Sequence, residues 1–333
     1  MNSFGRLFRL SIFGESHGQM VGVVIDGCPA GISLTAEDFA ADLTRRKSGV
    51  AGTTSRHETD QPRVVSGIFN DHTTGAPLAI LFANEDQQSA DYEEQRWIFR
   101  PSHADFSANR KFNGWNDWRG GGAFSGRLTV ALVAAGVIAK KIIQPITVNA
   151  TIKEIGGRYN YNQLLTETIA EGDSLGGIIE CRAQNVPCGL GEPFFDSVES
   201  LLSHAIFAIP GVKGIEFGAG FESARLKGST YNDAFINQAG QTATNNAGGI
   251  NGGITNGNDL IFRMAVHPTA SIRKPQKTFD FANNKMTTLS VAGRHDVCFA
   301  LRLPVIIEAV TACVLADLIF IQRAIVHQQE KKI

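Results

Sequence analysis

The chain has 333 residues, of which 43% are hydrophobic and 19% are charged, and its formal net charge is −1. This composition is typical of a globular protein and excludes a disordered or fibrous chain. Without an overall basic field, the chain is not expected to bind nucleic acid or a membrane surface. Its length suits one large α/β unit or two structural halves, and because no clean linker divides it we treat residues 1–333 as a single domain.

Cysteine usage and the apolar segments indicate a cytoplasmic protein. The five cysteines form no CxxC pair and have no histidine at zinc-finger spacing, so neither disulfides nor a metal site is expected. Residues 1–14 lack the apolar core of a signal peptide. Residues 305–326 are strongly apolar, but they include Glu308 and Asp317, which a membrane span would tolerate poorly. We therefore predict a buried helix there.

The N-terminal segment is predicted to form two strands joined by a polar loop. Apolar and polar residues alternate over residues 8–12, as in a half-buried strand, and a second apolar run covers residues 21–25. Between the two runs, residues 14–18 (GESHG) predict a tight loop that leaves Ser16 and His17 at a strand end.

A helix and two further strands follow. Thr35 and Asp38 resemble a capping box, and the helix that they begin ends in the cationic residues 45–47, which suit a helix C-terminus. Residues 64–69 and 78–82 are then predicted to be strands.

The central segment, residues 84–122, shows little periodicity. A stretch of this length is usually either disordered or functional, and its aromatic residues argue against disorder. Three consecutive glycines end the segment and lead into residues 129–143, which predict a buried helix. A glycine loop before a helix offers backbone N–H groups to an anion.

The second half repeats this mixture. Residues 214–217 and 260–266 are predicted strands, and residues 244–257 are a Gly/Asn-rich stretch. The pattern by itself supports a mixed α/β fold without selecting an architecture.

Two histidine motifs carry chemical content. A histidine transfers protons near neutral pH, although a lone histidine such as His17 more often has a structural role. The second motif is RPSHAD, residues 100–105. The surrounding residues 94–127 contain six Lys or Arg residues and three acidic residues. This excess suits a small polyanionic substrate because arginine binds carboxylate and phosphate. Charge alone does not distinguish such a site from a solvated surface strip.

Two further motifs allow alternatives. GGAFSGRL, residues 121–128, resembles a P-loop weakly, but Arg127 and Leu128 stand where Lys and Ser or Thr would be needed, so a simpler anion loop is preferred. In GRHDVC, residues 293–298, the carboxylate of Asp296 could relay a proton or form a salt bridge.

Taken together, ten segments in the same order resemble the chorismate synthase family and cover the chain from about residue 5 to residue 317. They are FGESHG (13–18), DGCPAG (26–31), LTRRKSG (43–49), RPSHAD (100–105), DWRGGG (117–122), GLGEPFFD (189–196), IPGVKGIEFGAGF (209–221), NNAGGINGGITNG (245–257), HPTASI (267–272) and GRHDVC (293–298).

The resemblance implies a lyase that removes phosphate from 5-enolpyruvylshikimate 3-phosphate by 1,4-elimination to give chorismate, the last step of the shikimate pathway. The family requires reduced FMN. By similarity, His17 would protonate the departing phosphate and His103 the reduced flavin, while Ser16 and Asp296 would relay a proton from flavin N5. The resemblance also implies an α/β fold, a β-α-β sandwich with internal duplication, and a homotetramer.

The resemblance also implies binding residues. The matching substrate-side arginines are Arg46, Arg100, Arg119 and Arg127, of which Arg46 could instead lie beside a pyridine nucleotide (NADP). The matching flavin positions are Ala123, Phe124, Ser125, Asn246, Ala247, Gly252, His267, Pro268, Thr269, Ala270, Ser271 and Arg294. The sequence has no GxGxxG dinucleotide fingerprint, so the source of the reductant stays open.

Several positions depart from the usual family pattern. Residues 123–128 read AFSGRL where many members have RSSARE, His267 replaces a lysine, and Val297 replaces a proline. None of these changes removes a proposed proton carrier. Two alternatives remain: a phosphate-handling transferase that uses the glycine loop, and a flavin-binding relative without turnover.

Overall fold

The computed structural model describes residues 2–88, 96–291 and 293–325, and it contains strands and helices in both halves of the chain. The strands are β1 Ser3–Phe4, β2 Arg9–Gly14, β3 Met20–Asp26, β4 Arg63–Ser66, β5 Ile68–Phe69, β6 His72–Thr73, β7 Leu78–Ala83, β8 Thr147–Ile155, β9 Gly177–Gln184, β10 Val212–Phe217, β11 Ile250–Asn251, β12 Ile254–Thr255, β13 Leu260–Val266, β14 Gln276–Asp280 and β15 Lys285–Leu289. The α-helices are α1 Ala40–Arg46, α2 Asp105–Lys111, α3 Thr129–Ile142, α4 Asn162–Glu171, α5 Val198–Ile206, α6 Gly228–Tyr231 and α7 Leu303–Ile325.

Two antiparallel sheets enclose a layer of helices. The first sheet has the strand order β1-β2-β3-β7-β4 and the second has the order β10-β13-β9-β8. Helix α3 packs on β3 and β7, whereas α7 packs on β8 and β9. Each half of the chain thus supplies one sheet followed by one long apolar helix. The β-α-β sandwich with internal duplication is confirmed.

The two central helices touch at backbone distance. A Cβ atom added to Gly136 in α3 would lie 2.2 Å from the Cβ of Ala309 in α7, so only glycine allows this crossing. Residues 129–139 and 305–319 are buried throughout. Apolar side chains all round such helices are expected when both faces are covered.

The first residues of both helices meet at the same end of the sandwich. Arg46 donates to Oγ1 of Thr129, the first residue of α3, over 3.3 Å. Arg302, just before α7, donates to the carbonyl oxygen of Arg46 over 3.0 Å. The N-terminal ends of two helices, which carry partial positive charge, therefore lie beside one another.

Some local predictions needed correction. The strand expected at residues 64–69 is divided at Gly67 into β4 and β5, and only β4 joins the first sheet. Gly67 has a φ of 88°, and its added Cβ would lie 2.7 Å from the Cα of Leu78, so the chain leaves the sheet at this glycine. The unperiodic residues 84–122 contain the short helix α2.

Helix α7 is the buried helix predicted at residues 305–326, as far as residue 325. It is long and apolar enough to cross a membrane, but most of it is buried inside the protein. The carboxylate of Glu308 accepts two hydrogen bonds of 2.7 Å from Arg45, one of 3.1 Å from Lys140 and one of 3.1 Å from the Ala150 amide. These partners account for the acidic residue in an apolar helix.

Asp317 connects the same helix to the N-terminal segment. Its carboxylate accepts hydrogen bonds of 2.7–3.0 Å from the amides of Arg6, Leu7 and Phe8. Phe8 is completely buried, so its amide has no access to water. A buried donor without a partner costs free energy, which makes Asp317 a structural residue.

We predict that Asp317→Leu lowers the midpoint of thermal unfolding, because the buried Phe8 amide loses its acceptor at a cost of about 1–3 kcal/mol. Asp317→Asn keeps one acceptor oxygen and should lose less. Circular dichroism of both variants measures the difference. Equal midpoints for the wild type and Asp317→Leu would contradict this role.

Candidate active site

A cavity of about 710 Å³ lies at the end of the sandwich where α3 and α7 begin. Segments from both halves of the chain line it, including the loops after β2 and β13 and the segments before α3 and α7. All four predicted proton carriers line this cavity: Ser16, His17, His103 and Asp296. Three motifs that are far apart in sequence are therefore brought together.

The lining of the cavity is strongly basic. Eight Lys or Arg residues line it, against three acids, although the whole chain has a net charge of −1. The basic residues are Arg46, Lys47, Arg56, Arg100, Arg127, Lys213, Arg294 and Arg302. Such a concentration of positive charge attracts anionic ligands.

The buried floor of the cavity is an ion-pair cluster around Asp60. Arg46 donates to Asp60 Oδ2 over 2.7 Å, and Arg127 donates to Asp60 Oδ1. The side chains of all three residues are at most 3% exposed. Burial lowers the pKa of Arg46 to about 10, so its guanidinium stays charged near neutral pH. Burial alone would raise the pKa of Asp60, but the two arginines hold it below its ordinary value.

The loop that contains Ser16 and His17 is fixed by hydrogen bonds from two directions. The Ser16 amide donates to the carbonyl oxygen of Gly122 over 3.1 Å. Arg56 donates to Ser16 Oγ over 2.8 Å and to the Ser16 carbonyl oxygen over 3.0 Å. Arg56 is itself held by Glu58 over 2.6 Å. Because Oγ accepts from Arg56, the hydroxyl proton of Ser16 is directed to another acceptor.

His17 is nearly buried in this positive environment. The pKa of its imidazole is lowered from the ordinary value, first by burial and then by the nearby cations Arg56 and Arg119. Asp117 acts in the opposite direction but does not cancel these effects. The resting imidazole is therefore neutral near pH 7, and an arriving anion would favour its protonated form.

The triple glycine lies against both predicted catalytic histidines. A Cβ atom added to Gly120 would lie 2.5 Å from the His17 ring and 2.8 Å from Ser16 Oγ. One added to Gly121 would lie 3.5 Å from the His103 ring, an ordinary contact. All three glycines have positive φ angles, between 53° and 82°. The glycines thus allow close packing of the loop against the histidines, in addition to the anion-binding role predicted from the sequence.

His103 belongs to a tight polar group. Its Nδ1 lies 2.6 Å from Asp105 Oδ1, and Arg100 donates to Asp105 Oδ2 over 2.7 Å. Arg100 also donates to Ser271 Oγ over 2.9 Å, which joins the RPSHAD motif to the loop that follows β13. Burial alone would raise the pKa of Asp105, but hydrogen bonds from Arg100 and His103 hold it well below the ordinary value.

Asp296 is held by the first half of the chain. Its Oδ1 accepts from the Thr54 amide over 2.9 Å, and its Oδ2 accepts from Arg302 over 3.2 Å. The carbonyl oxygen of Gly52 accepts hydrogen bonds from the amides of Val297 and Cys298. The salt-bridge alternative for Asp296 thus has a definite partner, Arg302, while Arg294 pairs with Asp86 over 2.6 Å.

The predicted substrate arginines separate into two groups. Arg46, Arg100 and Arg127 line the cavity, whereas Arg119 does not. Arg119 pairs with Asp117 over 2.8 Å and stands close enough to lower the pKa of His17.

Most of the predicted flavin residues line the cavity, but some do not. Those that line the cavity are Ala123, Phe124, Ser125, His267, Thr269, Ala270, Ser271 and Arg294. Pro268 lies within the same loop without lining the cavity. Asn246, Ala247 and Gly252 lie elsewhere, and the amides of Asn246 and Ala247 donate to the carboxylate of Asp233. For this last group the flavin role stays a prediction.

The structure can also be compared with a metal site and with a nucleotide-binding P-loop. Within residues 2–88, 96–291 and 293–325, no cluster of three or more His, Cys, Asp or Glu side chains could hold a metal ion. The P-loop alternative also fits poorly, because Arg127 is engaged with Asp60 and Leu128 is buried.

The residues that the sequence reasoning missed are Thr54, Arg56, Glu58, Asp60 and Arg302. Four of them lie between helix α1 and strand β4, in a polar stretch for which the sequence predicts no helix or strand. Its length without a regular element and its concentration of charged residues were the available signal.

Comparisons with known proteins identify the family of the chain. The family model described as chorismate synthase matches residues 8–320. A chorismate synthase of Chitinophaga pinensis is 59% identical over 324 residues, covering 97% of this chain and 98% of the relative. One of Dehalococcoides mccartyi is 46% identical over 349 residues, covering 95% and 96%. A crystal structure of a chorismate synthase superposes with a TM-score of 0.73 at 25% identity, covering 96% of this chain and 93% of that one.

These matches extend over both halves of the sandwich and all segments that line the cavity. Neither the relatives nor the cavity favours the alternative of a flavin-binding protein without turnover. The chain therefore belongs to the chorismate synthase family and is an enzyme, a carbon–oxygen lyase of that family.

Proposed function

We propose that the protein removes phosphate from 5-enolpyruvylshikimate 3-phosphate by 1,4-elimination to give chorismate, with reduced FMN as cofactor. The observation that carries this proposal is the meeting of Ser16, His17, His103 and Asp296 with eight basic side chains in one cavity. This substrate has two carboxylates and a phosphate, so it needs an excess of positive charge, and the cavity supplies that excess.

The floor cluster is suited to hold the substrate. Arg46 and Arg127 share one carboxylate, Asp60, which leaves one positive charge without a counter-charge in the cluster. The Nε of Arg46 is buried and has no hydrogen-bond partner within the described ranges. Both features favour an anionic group above the floor.

His17 is the proposed general acid for the departing phosphate. Burial and the nearby arginines Arg56 and Arg119 lower its pKa, and a phosphate dianion beside the ring would raise it. The imidazole would then carry a proton in the presence of the group that needs it. A positioned general acid contributes about 10²–10⁴-fold to a rate.

Ser16 and Asp296 are the proposed relay for the proton lost from C6. The hydroxyl of Ser16 is oriented by Arg56, so its own proton is available to another acceptor. Asp296 accepts from the Thr54 amide and from Arg302, and these contacts hold its carboxylate in place at the cavity.

The cavity also fits reduced FMN. Thr269 Oγ1, in the predicted flavin loop, is buried and has no hydrogen-bond partner within the residues that the structure covers. Ala123, Phe124 and Ser125 and the residues 269–271 would hold the cofactor, and aromatic side chains such as Phe124 and Phe299 line the same cavity. When bound, reduced FMN supplies electron density to the breaking C–O bond and recovers it afterwards.

We further propose a cytoplasmic homotetramer, as the resemblance implies. Support comes from apolar surface on the single chain, where Phe194, Phe195, Phe221 and Phe235 are each at least 75% exposed. Association with further copies would cover such side chains.

The activity is tested by an anaerobic assay with 5-enolpyruvylshikimate 3-phosphate and chemically reduced FMN. We expect chorismate absorbance and released phosphate to grow in a one-to-one ratio. Oxidised FMN is the control and should support no turnover. A folded protein that binds FMN but releases no phosphate would refute the proposed activity.

Gly120→Ala should lower kcat roughly 100-fold, because the added Cβ displaces the His17 ring and a shift of about 1 Å can cost that much. Gly121→Ala is the matched control, since its φ is also positive but its Cβ makes only an ordinary contact. Kinetics of both variants, with thermal midpoints to check folding, measure the difference. Equal losses would attribute the effect to backbone strain and not to His17.

His17 should determine the alkaline limb of the pH profile. In the free enzyme its pKa is lowered, so kcat/KM falls as pH rises through that lowered value. The bound phosphate raises the pKa, so the fall in kcat moves to higher pH. His17→Ala should lower kcat by about 10²–10⁴-fold. In this variant the pH profiles of kcat and kcat/KM should no longer be displaced from each other. A displacement that persists in the variant would assign the limb to the substrate phosphate.

A further inference from the structure

Asp105 contacts both the predicted proton carrier His103 and Arg100. Its Oδ1 lies 2.6 Å from His103 Nδ1 and accepts from Arg100 over 2.7 Å. Its Oδ2 accepts from Nε of the same arginine over 2.7 Å. The side chains of Asp105 and Arg100 are only 13% and 4% exposed. The carboxylate is therefore held in place from one side by a bidentate arginine and touches the histidine from the other.

The neighbours of Nδ1 decide which nitrogen of His103 carries the proton in the neutral ring. Arg100 lies 3.0 Å from the same Nδ1, and as a guanidinium it can only donate. Asp105 is closer and, when ionised, can only accept. When Nδ1 donates to the carboxylate, Arg100 gives up Nδ1 as an acceptor at 3.0 Å but keeps Asp105 Oδ1 at 2.7 Å. The neutral ring is thus the Nδ1–H tautomer, with an unprotonated Nε2.

The Nε2 side of the ring is the side left for the cavity, because His103 lines the cavity and Asp105 and Arg100 occupy Nδ1. His103 lines the cavity, and the neighbouring backbone at Gly121 has no side chain. Even an added Cβ at Gly121 would stand 3.6 Å from Nε2. A proton can therefore reach or leave Nε2 from the cavity, whereas Nδ1 faces the carboxylate.

The neighbours of Asp105 keep its carboxylate available as an acceptor for His103. The carboxylate of Asp105 lies 2.6 Å from His103 Nδ1 and can accept its proton in a hydrogen bond. Arg100, fixed in turn by Ser271 over 2.9 Å, keeps the carboxylate ionised. The proton therefore stays on the imidazole and is not passed back to Asp105. The same logic applies where a buried aspartate orients a histidine in serine hydrolases.

We propose that Asp105 is a positioning residue of the elimination: it fixes the Nδ1–H tautomer of His103 and so presents Nε2 to the cavity as the atom that exchanges protons. This inference rests on the proposed function for the part that His103 plays, but its geometric content is independent of turnover. Arg100 contributes to this positioning, because it holds the carboxylate of Asp105 that orients the His103 ring.

The tautomer is read directly by nitrogen-15 NMR of the purified full-length protein labelled at histidine. His103→Gln identifies the His103 signals by their loss. We expect Nδ1 of neutral His103 to be protonated and Nε2 to be unprotonated in the wild type. Observation of the opposite tautomer would overturn the proposal, whether or not the protein turns over substrate.

Asp105→Asn tests the consequence for catalysis. The amide can donate to Nδ1, so we expect a mixture of tautomers and a kcat lower by about 10²–10⁴-fold, with little change in KM. In the His103→Gln background the same substitution should have almost no further effect on kcat, because Asp105 acts through His103. Full activity of Asp105→Asn, or losses that multiply in the double variant, would overturn the proposal.

Folding of the variants is checked by thermal unfolding of each protein. If Asp105→Asn does not fold, the wild-type tautomer still decides the question. The wild-type protein could show the expected tautomer and still perform no elimination with the supplied substrate. That result would refute the proposed function but not the positioning of His103 by Asp105.

Discussion

The buried carboxylate of Asp60 is the constraint on which the cavity depends. It lies between Arg46 at the end of α1 and Arg127 just before α3, and these side chains are almost without exposure. Two guanidinium groups could not share this space without a counter-charge, since an uncompensated buried charge costs about 3–5 kcal/mol. The single carboxylate of Asp60 stabilises both guanidinium groups, but its one negative charge does not neutralise their two positive charges. The cavity is consequently both stable and attractive to anions.

Asp60 also fixes the chain path around the site. Arg127, which it binds, donates further to Asn84 Oδ1 over 2.8 Å and to the Ala83 carbonyl oxygen over 2.9 Å. The cluster thus joins the end of β7 to the beginning of α3 and the end of α1. Asp60 itself has a φ of 52°, in a left-handed region that aspartate tolerates better than most residues. A tight turn is therefore compatible with the identity of this residue.

The proton carriers could be proposed from the sequence because their segments have local signatures and resemble a known family. Their partners could not. Thr54 and Asp296 are 242 residues apart, and Asp60 and Arg127 are 67 apart, so no spacing in the sequence connects them. Such pairs are specified by the way in which the two halves pack, and that packing depends on contacts such as Gly136 against Ala309.

Some elements of the fold could likewise be predicted from the sequence and others could not. Strands with a clear alternation, such as β2, or a clear apolar run, such as β3 and β13, were predicted close to their observed bounds. Strand β8 was not, because its register shifts between Ile152 and Glu154 and the shift interrupts the alternation. Helix α2 was missed because it is only seven residues long, which is too short for a helical period to be visible.

The attachment of Asp296 to Thr54 has a consequence for the biogenesis of the enzyme. The first-half loop at Gly52 accepts hydrogen bonds from Val297 and Cys298, which are synthesised some 240 residues later. During translation, the histidine loop near the beginning of the chain is made long before the strand, loop and helix that complete its surroundings. Asp296 and Arg302 are among the last residues of the cavity lining to be synthesised, so the lining can be complete only after most of the chain has been made.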